Sequence, residues 1–123
     1  MQDKFKVLIV EDEFLIAKSL KIDLEKLGVS VLDPIAKGED AVRVVLQENP
    51  SLILMDIQLT GGLDGIEAAK KIHLKRKIPI VFMTGYATDE IKVRALKLNP
   101  IDYLEKPVDM HKIGKIINTL KNE

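Results

Sequence analysis

The stretch Lys6-Val7-Leu8-Ile9-Val10-Glu11-Asp12 is an apolar run that stops on two carboxylates. Continuous apolar runs of this length mark strands covered by helices on both faces. The same pattern recurs down the chain. Leu52-Ile53-Leu54-Met55 runs into Asp56, and Ile80-Val81-Phe82-Met83 runs into Thr84. Ile101 to Leu104 leads, one residue later, to Lys106-Pro107. In an open parallel sheet, ligands sit outside the carboxyl ends of the strands. Strand ends that share one edge therefore gather three carboxylates, a hydroxyl and an ammonium around one spot. That set suits a divalent metal and a phosphoryl group.

Helical patterns separate the runs. Ala17, Leu20, Leu24 and Leu27 recur at three and four residues, the spacing of one helix face, and Gly28 is a stop signal. A second helix covers Glu39 to Gln47 and ends before Asn49-Pro50. Asp64 caps a third, with Glu67 three residues on as in a capping box, and Ile66, Ala69 and Ile72 facing inward. Thr88 caps a fourth carrying Ile91, Ala95 and Leu98, and Asp109 a fifth whose buried stripe is Ile113, Ile116, Ile117 and Leu120. The strand near Ser30-Val31-Leu32-Asp33 precedes Pro34, and Ile101-Asp102-Tyr103-Leu104 alternates; proline and charge belong on edge strands. The second and fifth strands are thus edges. Right-handed crossovers then give an α/β fold: a doubly wound, five-stranded parallel sheet of order 2-1-3-4-5 with five helices on both faces, a flavodoxin-like arrangement.

The totals agree. A chain of 123 residues fits one domain, residues 1–123, and a hydrophobic share of 46% argues against disorder. Lys+Arg and Asp+Glu are both 19, which argues against direct nucleic-acid binding or a membrane surface held by bulk charge. The lack of cysteine removes disulfides and thiolate chemistry, and two histidines are too few for a His-rich metal site. No basic-then-apolar leader precedes Phe5. A soluble cytoplasmic domain is the expectation.

Carboxylates this close repel: two unit charges ~4 Å apart cost about 4 kcal/mol at an effective dielectric of 20. Either one is protonated or a cation sits between them. Mg²⁺ takes hard oxygen ligands and shares carboxylates with a phosphate. Asp56 could then attack phosphorus, with Thr84 and Lys106 donating to the developing charge.

These features resemble the response-regulator receiver domains of the CheY-like family. The matching residues are Glu11-Asp12, Asp56 after Ile53-Leu54-Met55, Asp64-Gly65, Thr84-Gly85 and Tyr103-Leu104-Glu105-Lys106-Pro107, in that order over essentially the whole chain. The resemblance implies that Asp56 accepts a phosphoryl group from the phosphohistidine of a sensor histidine kinase or phosphotransfer domain. It implies Mg²⁺ on Asp12, Asp56 and the Gln58 backbone carbonyl, with Glu11 acting through water. It also implies a switch: Thr84 moves to the phosphoryl oxygen, the Tyr103 ring follows, and the surface of the fourth helix, fifth strand and fifth helix changes its preference for an output partner or a second copy. A cis Lys106-Pro107 bond is expected from the same likeness. The resemblance also implies that Gln58 and Tyr86, two residues after Asp56 and Thr84, line the approach of water and tune dephosphorylation, with Tyr86 expected to shield the acyl phosphate.

One place departs from the family pattern. Many receivers carry proline four residues after the acceptor. Here Thr60 stands there, and Gly61-Gly62 lengthen the loop before Leu63-Asp64-Gly65, which predicts a more mobile segment.

Each residue has a plainer reading alone. Glu11-Asp12 would favour the first helix dipole, Asp56 a turn, Thr84 a strand end and Lys106 solvent. Their coincidence at one sheet edge favours a site. Tyr103 is open between a switch and a static edge aromatic. His73 and His111 read as surface helix positions, and Lys70-Lys71 with Lys75-Arg76-Lys77 as a solvated helix end.

Three other functions fit less well. A haloacid-dehalogenase-type phosphatase needs an acid two residues after its nucleophile, where this chain has Gln58. A flavodoxin-like electron carrier needs a phosphate loop where Glu11-Asp12-Glu13 would repel phosphate. A pseudo-receiver would not need an intact site. The expected role is non-enzymatic beyond self-catalysed phosphorylation and dephosphorylation.

Overall fold

Val7 to Val10 and all of Leu52–Asp56 and Ile80–Thr84 are buried, so the apolar runs form the middle of the sheet. The computed structural model describes residues 4–123. Its elements alternate in chain order: β1 Lys6–Val10, α1 Phe14–Lys26, β2 Ser30–Val31, α2 Gly38–Glu48, β3 Leu52–Asp56, α3 Gly65–His73, β4 Ile80–Thr84, α4 Asp89–Leu96, β5 Asp102–Glu105 and α5 Met110–Lys121. Every strand pair is parallel, in the order β2-β1-β3-β4-β5. This is the doubly wound, flavodoxin-like α/β sheet that the run-and-helix alternation predicts.

Strand alternation divides the core in two. Leu8, Val10, Ile53, Met55, Ile80 and Phe82 pack with Ala41, Val45, Ile66, Ala69, Ile72 and Ala95, from α2, α3 and α4. Val7, Ile9, Leu52, Leu54, Val81 and Met83 pack on the other face with Ala17, Leu20, Leu24, Ile113 and Ile117, from α1 and α5. Each fully buried Val, Leu, Ile, Met or Phe side chain among them contributes about 1.5–3 kcal/mol of transfer free energy, which holds the strand ends in fixed register.

The helix ends are set by the predicted caps. Asp64 Oδ1 accepts from Glu67 N at 2.8 Å, and Asp64 N donates to Glu67 Oε1 at 3.0 Å, a complete capping box. Thr88 Oγ1 accepts from Ile91 N at 3.2 Å, and Asp109 Oδ1 from His111 N at 2.9 Å. Gly28 leaves α1 with φ at +84°, a conformation that favours glycine.

Several details differ from the sequence reading. Leu27 lies past the helix end and is half exposed, not part of the buried face. The second strand is only Ser30–Val31, because Pro34 has no N–H to continue the ladder; pairing resumes once, at Val10 and Ile35. Ile101 stands outside β5 with an exposed side chain, although its N–H still bonds the Ile80 carbonyl at 2.8 Å. His73 is half-buried rather than surface, its ring Nε2 lying 3.4 Å from the Ile78 carbonyl as the chain turns into β4. His111 and the five basic residues of 70–77 are exposed. Among the described residues no helix is long and apolar enough to cross a membrane.

Candidate functional site

Parallel register brings the site together. Val10 is level with Met55, Asp56 with Met83 and Thr84 with Glu105, so the chain leaves β1, β3, β4 and β5 along one edge. Glu11 and Asp56 are each only 2% exposed and Thr84 is fully buried. One oxygen from each of Glu11, Asp12 and Asp56 lies within 4.8 Å of the others.

The carboxylates are individually tethered. Glu11 Oε2 accepts from Glu13 N and Asp56 Oδ1 from Gln58 N, both at 3.1 Å. Their remaining oxygens face Lys106: the ammonium contacts Glu11 Oε1 and lies 3.0 Å from Asp56 Oδ2. Three carboxylates against one ammonium leave two negative charges in excess when all are ionised. Burial accordingly pushes the Glu11 carboxyl up to about 7; the Lys106 ammonium opposes the rise, and Asp56 adds to it. Burial works to lower the Lys106 pKa, but the two carboxylates outweigh it and hold it above the usual lysine range.

The donor set fits a hard divalent cation. Glu11 Oε1 is buried, and the contact it makes is with the Lys106 ammonium. All candidate ligands are oxygens, as Mg²⁺ prefers, and a charge of two would balance the excess.

Thr84 is engaged elsewhere. Its hydroxyl donates to Gln58 Oε1 at 2.9 Å and accepts from Tyr86 N at 3.1 Å. Gln58 also takes Gly85 N and gives its Nε2 to the Tyr86 carbonyl, both at 3.3 Å. Its side chain thus bridges the ends of β3 and β4. The Tyr103 ring packs on the α4 side of the sheet, half-buried, with its hydroxyl buried and without a hydrogen-bond partner. Burial pushes that phenol up, with the Thr84 hydroxyl opposing. The Lys106-Pro107 peptide is cis, as expected.

Two features escaped the sequence reading. Gly65, read only as part of a motif, lets α3 lie on the acceptor strand: a Cβ there would stand 2.1 Å from the Asp56 carbonyl oxygen. A poor helix former at the first helical position was the available signal. Beside Asp56 and Lys106 lies a cleft of about 720 Å³, whose wall includes Leu15, Ile16, Leu20, Tyr86 and Val108. Leu15 and Ile16 are α1 positions outside the periodic face that sequence marks, while Leu20 lies on that face and Tyr86 and Val108 stand in loops after β4 and β5.

Residues 7–118 match the family described as response regulator receiver domain. The chain belongs to that family. The receiver is 41% identical to the signal receiver domain of a modulated diguanylate cyclase from Desulfovibrio desulfuricans G20, over 96% of this chain and 94% of that one, with a TM-score of 0.89. A CheY-like response regulator receiver domain protein from Methanospirillum hungatei JF-1 is 30% identical over 98% and 96%, at 0.86. A two-component response regulator from Clostridium difficile is 29% identical over 98% of each chain, at 0.88. In this receiver every residue expected from the sequence lies around one strand-end site: Glu11, Asp12, Asp56, Gln58, Thr84 and Lys106 at its centre, Tyr86 on the cleft wall and Tyr103 behind Thr84.

Proposed function

We propose that this receiver takes a phosphoryl group on Asp56 from the phosphohistidine of a sensor histidine kinase or phosphotransfer domain, in a Mg²⁺-dependent reaction, and thereby switches its α4-β5-α5 face. The observation that carries this is the buried Asp56 carboxylate, tethered through one oxygen and charge-paired through the other. Glu11, Asp12, Asp56 and the Gln58 carbonyl would hold Mg²⁺, which supplies charge neutralisation for the incoming phosphoryl oxygens. Asp56 Oδ2 is the nucleophile: its bond to phosphorus forms as the P–N bond to the donor histidine breaks and the imidazole leaves, and the Lys106 ammonium beside it pairs with the negative charge on the phosphoryl group. Thr84 releases Gln58 to donate to a phosphoryl oxygen. Tyr103 supports a two-state reading, because its half-buried ring packs on the α4 side of the sheet with its hydroxyl beside Thr84.

The α4 face suits a switch. Ala95 is the only buried residue of α4, while Val93, Leu96 and the nearby Ile101 are exposed apolar groups for a partner or a phosphorylation-dependent homodimer. The donor is a protein on this reading, since Phe14 at 73% and Leu15 at 77% exposure offer apolar contacts where α1 begins, beside the site. The proposed setting is cytoplasmic, with residues 1–123 as one non-enzymatic signalling domain.

The test is intact-protein mass after incubation with MgCl₂ and acetyl phosphate. One base-labile phosphoryl group is expected on the wild type, and none on Asp56→Asn or with chelator. An adduct on Asp56→Asn, or none on either protein, would reject the assignment. The same samples address lifetime. Tyr86 is 70% exposed, so its ring screens the acceptor only partly. Tyr86→Ala is expected to speed dephosphorylation a few-fold, and an unchanged decay of the adduct would remove Tyr86 from that role.

A further inference from the structure

Each of the three clustered carboxylates is anchored through one oxygen, but the anchors are not alike. Glu11 and Asp56 are held by backbone N–H groups two residues further along their own chain, which no substitution deletes without changing the backbone. Asp12 is held from 48 residues away. Its Oδ2 accepts from both Thr60 N and Thr60 Oγ1, each at 3.1 Å. These are the only hydrogen bonds to the Asp12 carboxylate among the described residues, and Lys106 pairs with Glu11 and Asp56 instead. Oδ1 of Asp12 accepts no hydrogen bond from the described residues.

The loop that presents Thr60 is also hydrogen-bonded at its other end. Leu63 N donates to Glu39 Oε1 at 2.7 Å, and Asp64 closes the capping box of α3. Asp64 Oδ2 further accepts from Arg94 on α4 at 3.2 Å. The segment expected to be mobile is therefore tied at both ends, and Thr60 is the tie that reaches the cluster.

We propose that Thr60 is a positioning residue for the cation site. Its hydroxyl and N–H hold Asp12 Oδ2, so that Oδ1 is presented to the metal without a search over carboxylate rotamers. Hydrogen-bond partners of metal-binding groups are worth roughly 10–100-fold in affinity. The Thr60 hydroxyl is half of this tether, which places its loss at the lower end. The inference rests on the Mg²⁺ reading above.

The experiment is calorimetric titration of the unphosphorylated receiver with MgCl₂ alone, beside metal-free thermal melts. Thr60→Val keeps the N–H and the shape but lacks the hydroxyl; Thr60→Ser restores it. Thr60→Val is expected to weaken Mg²⁺ binding about tenfold, with its metal-free melting temperature unchanged, and Thr60→Ser to bind within about twofold of wild type. Wild-type affinity or tighter binding in Thr60→Val overturns the proposal, as does equal loss in Thr60→Ser. If the wild type itself takes up no Mg²⁺, the cation reading fails and this role falls with it. Binding by the wild type with no response at position 60 refutes this role alone.

Discussion

Gly65→Ala is expected to melt on the order of 10 °C below the wild type and to lose phosphoryl uptake. The added methyl would lie 2.1 Å from the Asp56 carbonyl oxygen and 2.9 Å from both Asp56 C and Ile57 Cα. All three are backbone atoms of the acceptor strand and its exit, so no flexible side chain can yield. Overpacking a core costs typically 1–3 kcal/mol. Contact with backbone belongs at the upper end, because relief requires α3 to lift away from β3. Lifting α3 breaks the Gly65 N–H bond to the Ile57 carbonyl, 2.9 Å long, and drags the Asp56 segment with it. Gly114→Ala is the control. That glycine also lies in a helix, but the nearest atom to its Cβ would be Leu27 Cδ1 at 4.0 Å. Relief of glycine's helix cost should stabilise it by up to about 1 kcal/mol. Equal melting temperatures for the two variants would show that the close approach of α3 to β3 is not what Gly65 provides.

This contrast marks where sequence is informative. Val7 to Val10, Leu52 to Met55 and Ile80 to Met83 announce buried strands because an apolar run has few other uses, and once strands are placed, parallel topology puts Glu11, Asp12, Asp56, Thr84 and Lys106 on one edge. Caps at Asp64, Thr88 and Asp109 were legible because a short polar side chain before a periodic segment has a single local partner. Long-range polar pairings were not. Nothing in the spacing joins Thr60 to Asp12, Leu63 to Glu39 or Arg94 to Asp64. Each depends on how a loop or helix end meets a distant element above the sheet, and a hydrogen bond across 24 to 48 residues leaves no periodic trace. The Gln58 side chain is the sharpest case. Sequence placed it beside the acceptor, while the structure shows it occupying the Thr84 hydroxyl.

Lys106→Met should show a stability loss that depends on pH and on Mg²⁺. The Lys106 ammonium is the cation in contact with Glu11 and Asp56, whose side chains are 0% and 2% exposed. Removing one partner of a buried ion pair costs about 3–5 kcal/mol, because the remaining charge stays buried. The expectation at pH 8 without metal is a loss of that size. Acid should reduce it. The Glu11 carboxyl, at about 7 in the folded wild type against 4.5 ordinarily, binds a proton in the native state at pH values where the unfolded chain does not. Its stabilising contribution is complete below about pH 4.5 and is lost as pH rises through 7. The methionine variant lacks the charge that opposes this rise, so its Glu11 holds the proton to still higher pH. Near pH 6 both proteins carry Glu11 neutral, and the variant leaves only Asp56 without its ammonium. The gap in melting temperature should therefore narrow from pH 8 to pH 6. At pH 8, Mg²⁺ should recover part of the loss by placing positive charge among the same oxygens, and should stabilise the variant more than the wild type. A gap that ignores both pH and Mg²⁺ would mean that the lysine matters here for the packing of its methylene chain rather than for its charge.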